Sequence, residues 1–264
     1  YLAGLFIASI KPIIINLEYL SAEPWITEFH GKASPQSHGI PKYFFFPGFQ
    51  QEVGGLLLDP IPAEGHLTDN NIPNDLKTVW SNLRPGAKRI SVFCYPGAPL
   101  KKWLENLGGL GEEVDILLAH GHAEQLNLYG EQPVSLPKNL QLISMPFVSQ
   151  DEYDWVLSQC DFNIVRGEDS FVRAQLAGKP FIWHIYPQED RAHEVKLAAF
   201  LDLYLEEASQ ELRLATIAAM TWAMPSEWFG KLGVWDAHAK RWRTHLLEKQ
   251  ADGGLPARLI RFVA

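Results

Sequence analysis

Apolar and polar positions along this chain fall into two alternating patterns. Short, continuous apolar runs at 89–93, 114–118, 140–143, 162–165 and 180–185 have the length and content of strands covered on both faces. Helix-compatible spacing separates them, and 100–107, 151–158 and 171–177 predict three of the connecting helices. The connection after Leu118 carries no clear pattern. Strands that alternate with helices predict right-handed βαβ units and therefore a parallel sheet. Two earlier runs, 12–17 and 42–46, predict further buried strands, the first covered on both faces, with a turn-rich loop over 31–41 between them. The apolar stretch 2–8 reads as a core helix, and from Arg191 the pattern turns helical over 192–205, 209–224, 235–250 and 255–263. Trp222, Trp228, Trp235 and Trp242 fall in that tail as packing residues.

The pattern breaks where the composition shifts. Gly, Pro, Asn and Asp crowd the region 54–85, ahead of a short helical pattern over 75–83. This divides an α/β chain into an incomplete first domain over 1–62, a linker over 63–85 and a second domain over 86–232. The terminal helices over 233–264 are expected to pack back on the first domain. With 264 residues, 47% of them hydrophobic, the chain is long enough for a sizeable core in one large domain or two smaller ones. Its 31 acidic residues against 23 basic ones, a formal charge of -8, leave no surplus positive charge for broad binding to nucleic acid. An anionic nucleotide would have to be held locally. Cys94 and Cys160 each sit in or beside an apolar run, which reads as buried thiols in a reducing, cytoplasmic setting. The apolar N-terminal stretch is too short to span a bilayer, so no membrane association is expected.

In a parallel sheet of this kind, ligands bind outside the carboxyl ends of the strands. That rule selects the loops 94–97, 120–122, 146–150, 166–170 and 186–190. At Arg166-Gly167-Glu168-Asp169-Ser170 a strand has ended and a helix begins. The glycine permits a tight turn, Asp169 or Ser170 can cap the helix, and the first-turn N–H groups then offer positive potential to a phosphate. An ordinary capped turn would show the same residues. Adjacent Glu168 and Asp169 could be capping acids, or one could face a sugar while Arg166 offsets the phosphate charge. The last loop brings Tyr186, Gln188 and two carboxylates to the same rim, which suits a polyhydroxyl ligand. Ser170 has no histidine placed to activate it as a nucleophile. His120 and His122 could ligate a metal but lack a third spaced ligand, so no metal is expected. His184 and His193 read as structural. The chain contains no GxGxxG, Walker, HExxH or GxSxG motif, which removes support for dinucleotide oxidoreductases, P-loop ATPases, zinc proteases and serine hydrolases.

Five stretches carry a family resemblance: 16–23, 42–49, 147–150, 166–170 and 183–188. Together they resemble the EarP family, the protein-arginine rhamnosyltransferases of bacterial translation elongation factor P. The likeness runs over essentially the whole chain, and its long motifs are specific to that family. It implies a GT-B glycosyltransferase architecture, with two Rossmann-like domains, the donor in the C-terminal one and the acceptor protein held chiefly by the N-terminal one. It implies transfer of rhamnose from dTDP-β-L-rhamnose to an arginine of elongation factor P, with inversion and without a metal or other cofactor. By motif it places Phe93 and Tyr95 at the nucleoside site, and Phe147, Gln150 and Tyr153 around the thymine or ribose. Glu168, Asp169 and Ser170 fall at the pyrophosphate and sugar, beside Arg166; Glu168 is the catalytic candidate, as a group that positions the sugar or acts electrostatically and not as the base. The family's general base lies in a glycine-rich N-terminal segment with no counterpart after Tyr1, so the chain is expected to be nearly inactive by itself. Two other readings share these residues: a different nucleotide-sugar enzyme, transferase or epimerase, and a module that binds a nucleotide without catalysis.

Overall fold

The computed structural model describes residues 12–36, 39–58, 72–125 and 136–264. In chain order its strands are β1 (Ile14–Leu17), β2 (Ala33–Ser34), β3 (Lys42–Phe45), β4 (Lys88–Val92), β5 (Val114–Leu118), β6 (Leu140–Ser144), β7 (Phe162–Arg166) and β8 (Phe181–His184). Its helices are α1 (Ile26–Phe29), α2 (Lys77–Ser81), α3 (Leu100–Gly108), α4 (His122–Gln125), α5 (Gln150–Gln159), α6 (Asp169–Leu176), α7 (Ala192–Tyr204), α8 (Gln210–Met220), α9 (Leu232–Lys249) and α10 (Gly254–Val263). The chain divides into two compact units, one of Tyr1–Asp59, Glu194–Leu203 and His245–Ala264, the other of Pro60–His193 and Tyr204–Thr244. The helix expected over 2–8 lies outside the described residues, as do residues 63–71 of the expected linker.

The larger unit is built on a five-stranded sheet in the order β6-β5-β4-β7-β8. Every pairing in it is parallel, with registers such as Val92↔Leu118, Val92↔Ile164 and Arg166↔His184. The apolar runs become strands because both of their faces are covered: Ile90, Val92, Ile116, Leu118, Phe162, Ile164 and Phe181 are all buried, each stabilising the fold by roughly 1.5–3 kcal/mol. A buried charge, Asp115, interrupts one run and is matched by Arg84, whose main-chain N–H and Nε donate to its two oxygens at 2.6 and 2.7 Å. Trp228 stacks on Phe162 at 4.8 Å, and Trp235 donates from Nε1 to the Tyr204 hydroxyl at 2.9 Å, so these tryptophans pack as the sequence predicts. The helix expected over 209–224 stops at Met220. Pro225 cannot continue it and restricts the residue before it, so the chain turns through Trp222 at φ 60 into a 3-10 turn, Pro225–Glu227.

In the smaller unit β3 pairs in parallel with β1 and antiparallel with β2, a two-residue strand inside the expected loop. The expectation that the first strand is covered on both faces does not hold: Ile14, Ile15 and Asn16 are only half-buried and Leu17 is 55% exposed. Phe262 of α10 packs edge-on against Tyr43 and Phe45, each at 5.5 Å. Buried Arg258 fixes the following loop by donating to the carbonyls of Gln50, Gln51 and Val53.

The sheet order positions a crevice in the larger unit. From β4 the chain steps outward to β5 and β6, then returns to lay β7 on the other side of β4. The carboxyl ends of β4 and β7 therefore form the switch point where such sheets open a crevice for ligands.

Candidate functional site

Two loops meet at that switch point. The loop after β4 carries Phe93 and Tyr95, and the turn after β7 carries Arg166 to Ser170. Gly167 has φ 67, a conformation that favours glycine, and the carbonyl it turns accepts a 3.0 Å bond from Trp183 Nε1. A Cβ added there would reach the Tyr95 hydroxyl at 3.6 Å, so the turn lies close to the opposite loop. The helix that follows, α6, starts one residue earlier than the capping expectation allows. Glu168 occupies the N-cap position in helical geometry, with no side-chain cap, and Asp169 and Ser170 are the first helical residues. Asp169 does not cap because its carboxylate is drawn sideways: Oδ2 accepts from Arg173 Nε and from Gln150 Nε2, both at 2.9 Å.

The Arg166 guanidinium lies 4.2 Å from the ring centroid of Phe93 and 5.0 Å from that of Tyr95, and Nη1 donates to the Cys94 carbonyl at 3.3 Å. Its orientation is thus set by the β4 loop. Tyr95 in turn donates from its main-chain N–H to His184 Nδ1 at 3.0 Å and meets the Tyr186 ring edge-on at 5.3 Å. Burial, with Arg166 adding repulsion, holds the His184 pKa down at about 4, so the ring stays neutral and able to accept that bond. His122 is buried within hydrogen-bond distance of the Cys94 main chain and, like His184, serves the loop. No group of three or more potential metal ligands occurs among the described residues.

Beside this junction lies a cleft of about 360 Å³. Six of the sequence-predicted residues line it: Phe93, Phe147, Gln150, Tyr153, Asp169 and Ser170. They are joined by His120, Pro146 and Ser149, which the sequence placed only in rim loops, and by Met145, which it placed in none. Ser149 caps α5 in a reciprocal capping box with Glu152, which fixes the entry of the helix that bears Gln150 and Tyr153. Phe147 is 81% exposed. The Tyr153 hydroxyl is buried against Ser170, and burial pushes its pKa up. Arg166 stands next to the cleft through its contact with Phe93, Tyr95 through Arg166, and Tyr186 through Tyr95. Glu168 is half-buried at the helix start, while the Gln188 side chain is exposed and its main-chain N–H donates to His193 Nδ1. The structure does not bring Gln188 into the cleft lining.

Two residues absent from the sequence-based set sit directly behind it. Arg173, only 7% exposed, donates from Nη1 to Asp154 Oδ2 at 2.6 Å. Burial raises the Asp154 pKa to about 6 even though Arg173 opposes the shift, and its Oδ1 is buried without a hydrogen-bond partner. Their spacing, 150 with 154 and 169 with 173, is the sequence signal that could have found them.

Comparisons with known proteins agree on one family. The sequence model of the family described as Elongation-Factor P (EF-P) rhamnosyltransferase EarP matches residues 3–264. The protein-arginine rhamnosyltransferase of Pseudomonas putida is 38% identical over 275 residues, which cover 95% of this chain and 71% of that protein. The protein-arginine rhamnosyltransferase of Pseudomonas aeruginosa is 37% identical over 272 residues, with the same two shares. A solved structure, described as the structural basis for EarP-mediated arginine glycosylation of translation elongation factor EF-P, superposes with a TM-score of 0.69 at 33% identity. It covers 83% of this chain and 75% of that one.

Proposed function

The chain belongs to the EarP family of elongation-factor P rhamnosyltransferases, and from that membership we propose that it transfers rhamnose from dTDP-β-L-rhamnose to an arginine side chain of elongation factor P. The observation that carries the reading is the cleft beside the β4/β7 switch point, which combines aromatic rings, a helix start and an exposed carboxylate with an arginine next to them. A nucleoside diphosphate sugar asks for those groups in that combination. Phe93, Tyr95, Phe147 and Tyr153 take the nucleoside, with Gln150 at the base or ribose. Arg166 and the first turn of α6 take the pyrophosphate, where main-chain N–H groups and the helix dipole favour negative charge. Asp169 and Ser170 face the sugar, Tyr186 and Gln188 close its outer rim, and Glu168 positions it.

The chemistry is an inverting displacement. A guanidinium nitrogen of the acceptor attacks the anomeric carbon, the bond from that carbon to the diphosphate oxygen breaks, and dTDP leaves. Arginine is protonated at neutral pH and a poor nucleophile, so a carboxylate must orient it and receive the proton released as the C–N bond forms. Glu168 is assigned to the sugar and not to that proton transfer. The departing diphosphate is stabilised where its charge grows, by Arg166 and the helix start. This scheme needs no metal and no cofactor, and a cytoplasmic location goes with the proposed acceptor. Among the described residues no helix is long and apolar enough to cross a membrane.

Mass spectrometry of elongation factor P tests the reading. After incubation with the intact protein and dTDP-β-L-rhamnose, one arginine should gain a single deoxyhexose, and Asp169→Asn should slow the gain. An unmodified acceptor, or modification at a residue other than arginine, would overturn it.

A further inference from the structure

We propose that Arg173 is a positioning residue for this site, orienting Asp169 so that its second carboxylate oxygen accepts a hydroxyl of the donor sugar. The inference rests on the functional reading above. It begins with a charge where none is cheap. Arg173 is 7% exposed, and a buried guanidinium is kept only where carboxylates and hydrogen bonds compensate its lost hydration. Here one planar fork serves two of them, Nε to Asp169 Oδ2 at 2.9 Å and Nη1 to Asp154 Oδ2 at 2.6 Å.

The geometry ties two helices in a quartet. Gln150 and Asp154 are four apart on α5, and Asp169 and Arg173 four apart on α6, so each pair shares a helix face. The faces meet through two cross-links, Gln150 to Asp169 at the cleft and Asp154 to Arg173 behind it. The cleft end is open, with the Asp169 side chain 56% exposed, while Asp154 is 21% exposed. An exposed carboxylate alone would sample several rotamers. The bonds from Gln150 and Arg173 to Asp169 both land on Oδ2, which fixes the plane of the carboxylate and presents Oδ1 as the acceptor for a ligand hydroxyl. Arg173 and Asp154 do not line the cleft, so their effect on a ligand must pass through Asp169. The fork is essential to this arrangement, since lysine can pair with one carboxylate but cannot bridge two in one plane.

A merely structural tie between helices would affect every ligand alike, and the positioning role would not. The test is calorimetry of dTDP and of dTDP-β-L-rhamnose on wild type, Arg173→Lys, Asp169→Asn, the double variant, and Asp154→Asn. Arg173→Lys should weaken dTDP-β-L-rhamnose about tenfold, the scale of one hydrogen bond to a charged group, with dTDP changed less than about twofold. The double variant should bind no more weakly than Asp169→Asn alone, because the two changes remove one interaction. Should Arg173→Lys unfold, Asp154→Asn supplies the reading: it is isosteric, leaves the Arg173–Asp169 pair in place, and should show the same selective loss at smaller size. Wild-type affinity for the sugar nucleotide in both variants, equal losses for the two ligands, or additive losses in the double variant would overturn the inference. Wild-type protein that binds neither ligand would overturn the functional reading and this inference with it.

Discussion

Phe147→Ala separates what holds the fold from what holds the ligand. Phe147 is 81% exposed at the mouth of the cleft, and its one described ring neighbour is His120, edge-on at 6.3 Å. A ring so placed contributes little to the core, so its loss should change stability by no more than about 0.5 kcal/mol. Stacked on a base, the same ring stabilises the complex by about 1–3 kcal/mol, which corresponds to about 5- to 140-fold in affinity. The expected result is therefore a native melting temperature with weakened binding, equal in size for dTDP and dTDP-β-L-rhamnose, because the lost contact is to the nucleoside. Isothermal calorimetry on both ligands, with thermal unfolding as the control, reads all three quantities. Unchanged affinity for both would remove the base from this end of the cleft. A loss confined to the sugar nucleotide would show that the ligand lies in the opposite sense.

Other perturbations test the supports of the site. Trp228→Ala removes a fully buried ring stacked on Phe162 at 4.8 Å and should cost about 3–5 kcal/mol in urea unfolding; a loss below about 1 kcal/mol would contradict the packing described. Gly167→Ala places a side chain at φ 67 with its nearest neighbour at 3.6 Å, so the cost is backbone strain of about 1–2 kcal/mol without a clash, and a neutral result would show that the turn relaxes. His184 has its pKa lowered to about 4 by burial and then Arg166. Between pH 6.5 and 4 the unfolded chain thus binds a proton that the native ring does not. The stability His184 contributes is present above about pH 6.5 and is lost as pH falls toward 4. Comparison of urea midpoints with His184→Asn, which keeps an acceptor but cannot titrate, should show wild type losing ground over that window, and parallel curves would refute the shift.

Much of the fold could be read from the sequence because its signal is local. The five strands of the larger unit are continuous apolar runs, and burial of both faces is what makes them so. The strand-end loops could be selected from the parallel-sheet rule alone, while the switch point between β4 and β7 depends on the strand order, which is set by pairing between distant segments. What escaped depends on partners distant in sequence or on competition between them. Asp169 looks like a cap by residue type, yet Arg173 and Gln150 win its carboxylate. The 12–17 run looks doubly covered by composition, yet β1 is half-buried at best and Leu17 is exposed. Asp154 and Arg173 carry no motif beyond their four-residue spacing from Gln150 and Asp169, and the bond between them depends on α5 and α6 lying side by side.

The claim on which the account depends is that the cleft at the β4/β7 switch point holds dTDP-β-L-rhamnose. Its most direct test is a calorimetric titration of that sugar nucleotide into the protein, repeated in the presence of saturating dTDP and of saturating UDP. The account predicts saturable one-to-one binding that dTDP abolishes and UDP leaves nearly intact. Absence of binding, or equal competition by the two diphosphates, would contradict it.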